Sequence, residues 1–148
     1  MKPEATHALE RLMQALLVDI APTVTPPYRR ANVSIQAMLL LLVREEFDRA
    51  AARRVEENRA LRALFADALA AVSDAALGER LAGAAAGVDA SLRVPDLEAG
   101  NRALRALLIE LHAHVEGLAG DEARRIEAAI WRELSASTER RKLSLGPV

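Results

Sequence analysis

The sequence predicts an all-α protein: an antiparallel helical bundle of four principal helices, with one long second helix and a short Ala/Gly-rich extra helix. Three observations predict it. Ala and Leu dominate while aromatic residues make up only 3% of the chain and β-branched residues are scarce, so the vocabulary of strands is largely missing. Apolar residues recur at spacings of three and four rather than two. The helix breakers Pro and Gly gather at a few points and leave long stretches between them.

Leu9, Leu12, Met13, Leu16, Leu17 and Ile20 mark a first amphipathic helix from about Glu4 to Ile20, ended by Pro22 and by the Thr25–Pro26–Pro27 sequence. Thr25 before a proline is also a start signal. The second helix follows through Val33, Ala37, Leu40, Phe47, Ala51, Val55, Asn58, Leu61, Phe65, Leu69 and Val72, with no Pro or Gly between Pro27 and Gly78. It reads either as one helix of about 45 to 50 residues, roughly 70 Å long, or as two pieces broken where the pattern slips near Arg53 to Glu57. Pairs four residues apart, Arg44 with Asp48, Glu45 with Arg49 and Arg53 with Glu57, read as a solvated outer face. The run Ala37 to Val43, AMLLLLV, is far below the roughly 20 residues of a membrane span and reads as a buried helix centre.

Ser73 to Gly87 reads as the end of the long helix, then a short, weakly specified helix and a turn, and the segment up to Pro95 as a linker. From about Asp96, Leu97, Leu104, Leu107, Leu108, Leu111 and Val115 form a further helix, stopped by Gly117 and Gly120. Asp121 is expected to cap the last one. Ile126, Ala129, Ile130, Trp131 and Leu134 form its apolar stripe, with Trp131 as a packing anchor. Arg140, Arg141 and Lys142 lie at its C-terminal end, where the helix dipole favours cations.

A chain of 148 residues has the length of one domain with one core, so residues 1–148 are expected to form a single helical domain with 143–148 as a flexible tail. Lys and Arg number 20 against 21 for Asp and Glu; this balance makes no field for a phosphate polymer, and nucleic acid is not an expected partner. Cysteine is absent, which excludes disulfides and thiolate chemistry and is compatible with a reducing cytoplasm. The opening MKPEATHALERLMQ lacks the apolar segment of a secretory signal. Neither membrane insertion nor a cofactor is expected: the scarcity of aromatics argues against flavin and haem sites.

One phrase recurs. Asn58 to Leu64 reads NRALRAL, and so does Asn101 to Leu107. The flanks do not match at the same offset, Phe47 meeting Ala90 and Arg49 meeting Leu92, so a duplicated domain is not supported. The recurrence is either chance in an Ala, Leu and Arg-rich chain or a shared physical demand. Neither Arg62 nor Arg105 has an acid three or four residues away on its own helix; each has an Asn four residues before it and apolar neighbours. Such an arginine must find its partner elsewhere. One reading is an interhelical ion pair with an Asn that fixes register. The other is a ligand site in which Asn58, Arg62, Asn101 and Arg105 hold a phosphate or carboxylate while the aliphatic stripe receives an acyl or nucleotide-like body.

Other candidates are weaker. His112 and His114 point about 200° apart on a helix and read as surface pairs with Glu116 and Glu110. A metal site is not expected, because the chain offers a single Glu-x-x-His, Glu4 to His7, where a di-iron bundle needs two. No nucleophile motif, phosphate loop or HExxH occurs, so no catalytic residue is assigned and an enzyme is the less favoured reading. Arg29 and Arg30 put two cations in the first turn of the second helix, where the dipole disfavours them; they answer an acidic partner, a neighbouring helix or solvent. The function expected is that of a soluble cytoplasmic helical bundle acting through self-association, as a homodimer, or through a protein partner; the alternative is a bundle that binds a small amphipathic anion between helices.

Overall fold

A computed structural model describes residues 4–143, so the expected tail over 143–148 lies, apart from Leu143, outside the described residues. Every regular element in that range is helical: α1 at Ala5–Gln14, α2 at Pro27–Ala68, α3 at Ala75–Ala86, α4 at Val94–Glu116 and α5 at Asp121–Arg141. The all-α helical bundle expected from spacing and composition is the observed fold class. No described helix is long and apolar enough to cross a membrane. The chain divides into two compact units, residues 4–50 and residues 51–142, and α2 contributes to both.

In the first unit the helix expected from Glu4 to Ile20 changes its winding halfway. α1 gives way at Ala15 to a π-helical turn ending at Ile20, and then to a 3-10 turn, Ala21–Thr23. Pro22 has no N–H to offer the ladder, and the Thr23 hydroxyl donates to the Ile20 carbonyl at 2.8 Å. Glu10 of α1 meets Arg44 of α2 at 3.8 Å, so the chain folds back as a helical hairpin, and Arg44 is not paired with Asp48 as its spacing suggests. The apolar content of this hairpin is poorly covered. Only Ala21, Ala37 and Ala50 are buried in it, and Met38, Leu39 and Val43 of the AMLLLLV run are each 52–53% exposed. The expectation that this run is a buried helix centre is therefore not met. A run that is apolar all round its helix needs neighbours on every side, and one partner helix covers only one sector.

α2 is a single helix of 42 residues with no break near Arg53 to Glu57. It ends at Ala68, and a 3-10 turn, Leu69–Ala71, follows. In the second unit the remainder of α2, α3, α4 and α5 run alternately up and down. Arg62 of α2 reaches Asp89 beyond the end of α3, Arg80 of α3 pairs with Glu110 of α4, and Arg125 of α5 donates to the Asp67 carbonyl of α2 at 3.2 Å. Up-down-up-down with short connections is the economical way to bury four stripes. α3 is more than the weakly specified extra helix of the sequence reading. Asp74 caps it by accepting from the Leu77 N–H at 3.0 Å, and its Leu77 and Leu81 enter the core.

The core joins Leu61, Leu64 and Phe65 of α2 to Leu104, Leu108 and Leu111 of α4 and to Ile126 and Ile130 of α5. Along α4 the buried positions are Leu97, Asn101, Leu104, Leu108, Leu111 and Val115, alternating steps of four and three like a coiled-coil seam. α5 begins after Gly120, whose φ of +111° favours glycine. Asp121 is not the cap: it is the first helical residue, and it pairs with Arg124. Two further expectations fail on the same helix faces. Phe47 is 66% and Trp131 55% exposed, whereas Arg53 and Glu57, assigned to a solvated face, are buried. The buried phase of α2 runs through Ala50, Arg53, Glu57, Leu61 and Leu64, so it passes through charged residues that a search for apolar recurrence steps around.

Candidate functional site

The polar groups of the second unit gather where the start of α4 lies against α2 and the end of α5. Glu57 is their centre. Its side chain is 1% exposed, and an ionised carboxylate in that position must be met by donors. Arg141 supplies a two-pronged fork, Nε to one oxygen and Nη2 to the other, both at 2.7 Å. The Ser137 hydroxyl donates at 3.1 Å and Asn101 Nδ2 at 3.2 Å. Four hydrogen bonds fill the lone-pair capacity of a carboxylate. Ser137 in turn accepts from Arg105 Nη2 at 2.5 Å, and that guanidinium lies 3.9 Å from Glu57.

The doubled phrase meets itself here. Asn101 Nδ2 donates to Asn58 Oδ1 at 3.0 Å, and both side chains are fully enclosed. Asn58 passes its own Nδ2 to Asp89 at 2.9 Å and to the Leu97 carbonyl at 3.4 Å. Arg62 Nη2 donates to the same Asp89 oxygen at 2.7 Å. Of the four residues singled out from the sequence, the structure thus brings Asn58 and Asn101 into direct contact and places Arg62 and Arg105 on separate carboxylates. Asp89 and Glu57 of the chain itself stand where an anionic ligand's oxygens were expected.

Electrostatics follow from this geometry. Burial by itself would raise the Glu57 pKa, but the Arg141 hydrogen bonds and charge, aided by Ser137 and Arg105, outweigh it and hold the carboxyl below its ordinary value. Asp89 is lowered by its hydrogen bond from Arg62, against some desolvation, with help from Asn58. Glu133 of α5 moves the other way. Burial, together with repulsion from Glu57, raises it despite the hydrogen bonds it accepts from Arg140.

Sequence reasoning misses Asp89 and Ser137, and it gives Glu57 to a solvated face and Arg141 to a helix end. A usable signal exists: Ser137 and Arg141 continue the α5 phase of Ile126, Ile130 and Leu134, as Arg53 and Glu57 continue that of α2. Arg59 lines, with Arg62, Ala63, Ala66, Gly87, Val88 and Asp89, an open groove of about 460 Å³ on the outer side of the Arg62–Asp89 pair. The histidines are placed apart. His112 lies 3.6 Å from Glu116 and edge-on to Trp131, with ring centres 5.4 Å apart. His114 accepts from the Ser73 N–H at 3.4 Å, and Glu110 is taken by Arg80, so the expected Glu110–His114 pair is not made. Among the described residues no group of three or more His, Asp or Glu is arranged to hold a metal ion.

Comparison with protein-family models, with curated proteins and with solved structures finds no match to this chain. The class defined by its own geometry is an all-α bundle clamped through a buried carboxylate. Chemically the donors favour the ionised form of Glu57 over the protonated one.

Asn101→Ala should lower unfolding stability by about 1–3 kcal/mol, the usual cost of leaving a buried polar group unsatisfied. A double-mutant cycle with Asn58→Ala, read by urea denaturation, should give a coupling of about 0.5–3 kcal/mol. The lowered pKa of Glu57 has a definite sign: its contribution is complete above the ordinary value of 4.5 and is lost as pH falls through the depressed folded value. Urea midpoints of the natural chain and Glu57→Gln should therefore converge as pH falls below 4.5.

Proposed function

We infer that the protein acts by association, through the open apolar face of residues 4–50, with a second copy of itself as the default partner. The observation that carries this reading is the contrast within that hairpin. Its buried residues are three alanines, while ten large apolar side chains, among them Leu12, Val18, Ile35, Met38, Leu39 and Phe47, are at least 40% exposed. Half-covered aliphatic side chains in that number leave on the order of 500 Å² of apolar surface. Those of α2 from Tyr28 to Val43 share one side of the helix; apolar surface gathered in this way marks interaction sites, and an interface of ordinary size takes about 800 Å² from each partner, somewhat over half of it apolar. A cytoplasmic setting goes with this reading, since the sequence contains no cysteine. No reaction is assigned.

A second reading, binding of a small amphipathic anion, is favoured by the groove at Arg62. Arg59 has no ion-pair partner among the described residues and shares that groove with Arg62, Ala63 and Val88. A carboxylate or phosphate head at Arg59 and an apolar body along the alanines would suit it.

Native mass spectrometry at low micromolar concentration should show a dimer. Leu39→Glu, which puts a charge in the exposed face, should shift it to monomer while circular dichroism keeps its helical signal. A natural chain that stays monomeric up to hundreds of micromolar would remove the association reading. The same spectra report the second reading: mass retained on the natural chain and lost in Arg59→Ala supports an anion in the groove, and bare protein after incubation with a fatty acid and with a nucleotide speaks against it.

A further inference from the structure

The exposed apolar residues of α2 are ordered. At 100° per residue, Tyr28, Ile35, Met38, Leu39 and Val43 fall within roughly 140° of arc, and each is more than half exposed. Leu42 lies in the same sector, and between Tyr28 and Val43 that sector contains no charged residue. The charges lie at its two ends and differ in sign. Residues 27–43 carry two cations, Arg29 and Arg30, and no acid; residues 44–49 carry Arg44 and Arg49 against Glu45, Glu46 and Asp48, a net of −1.

Arg29 and Arg30 make no ion pair among the described residues. They sit in the first turn of a helix, where the dipole disfavours cations. A negative group brought alongside would relieve both conditions. Within the hairpin, Glu10 is on Arg44, and Glu45 is on Arg49 at 2.9 Å.

We propose that two copies of the chain pair along this stripe with their α2 helices antiparallel, about a two-fold axis passing beside Met38 and Leu39. The inference rests on the association reading above and adds its geometry. Around that axis Ile35 lies against the partner's Leu42 and Met38 against the partner's Leu39, while each first turn with Arg29 and Arg30 comes beside the partner's acidic segment. Parallel pairing would set cations on cations at one end and net negative charge on negative at the other. The antiparallel contact is isologous and closes on itself, so it makes a dimer and not a filament. Two hairpins joined this way make four helices, the number that gives large aliphatic side chains a core of their own.

The natural chain has no cysteine, so single introduced thiols carry spin labels without background. Nitroxides at Tyr28→Cys alone should lie about 30 Å apart in the dimer, 21 residues at 1.5 Å each, and those at Arg49→Cys alone likewise. An equimolar mixture of the two labelled chains should add a separation on the order of 10 Å, the distance between packed helix axes. Short separations in the single-site samples, with none added on mixing, would mean parallel pairing: association would stand and the proposed geometry would fall. Absence of any dipolar signal at hundreds of micromolar would remove both. A labelled chain that stays monomeric and sediments with vesicles of anionic phospholipid would show a lipid surface on the stripe, and would likewise overturn the proposal.

Discussion

A carboxylate that is almost wholly enclosed sets the terms for the second unit. Glu57 can remain ionised there only while Arg141, Ser137 and Asn101 present their donors together, and those residues belong to two other helices. Sliding α4 or α5 by a single turn against α2 would leave the charge uncompensated, which is far more expensive than losing a leucine contact. Buried ion pairs of this kind generally add little net stability. The network's consequence is selection of one register.

That selection matters more in this chain than in most. The core is built from Leu, Ile, Val and Ala around a single Phe65, and aliphatic seams of this kind slide with little change in contact. An Asn in a seam position is the known remedy in coiled coils, and here there are two, Asn58 and Asn101, bonded to one another. The repeated NRALRAL phrase is thus explained without duplication. Two helices that run in the same direction past a common polar layer each place an Asn in the layer and an Arg one turn further on, Arg62 received by Asp89 beyond α3 and Arg105 by Ser137 of α5 beside Glu57.

The hairpin of residues 4–50 is governed by the opposite condition, an apolar surface in excess of what two helices can hide. Its buried positions are alanines, and the ion pair between Glu10 and Arg44 that joins its two helices is well exposed. Much of the hairpin's apolar area stays in contact with water, which is unfavourable by the hydrophobic effect.

The helices themselves were legible in the sequence. Spacings of three and four depend on the geometry of a single helix, and the breakers at Pro22, Pro26, Pro27, Gly117 and Gly120 act on their own neighbours, so composition and periodicity alone determined the all-α class and most element positions. The partner of each charge was not legible, because it comes from another helix: Arg62 reaches 27 positions along the chain to Asp89, and Arg141 reaches back 84 to Glu57. The sequence showed that Arg62 and Arg105 lacked local acids; only the tertiary structure decided which carboxylates answer them. Burial is not legible in the sequence for the same reason. Whether a side chain is covered depends on what the remaining helices leave open, so Met38 and Trp131 ended exposed and Glu57 enclosed, against the hydropathy of each.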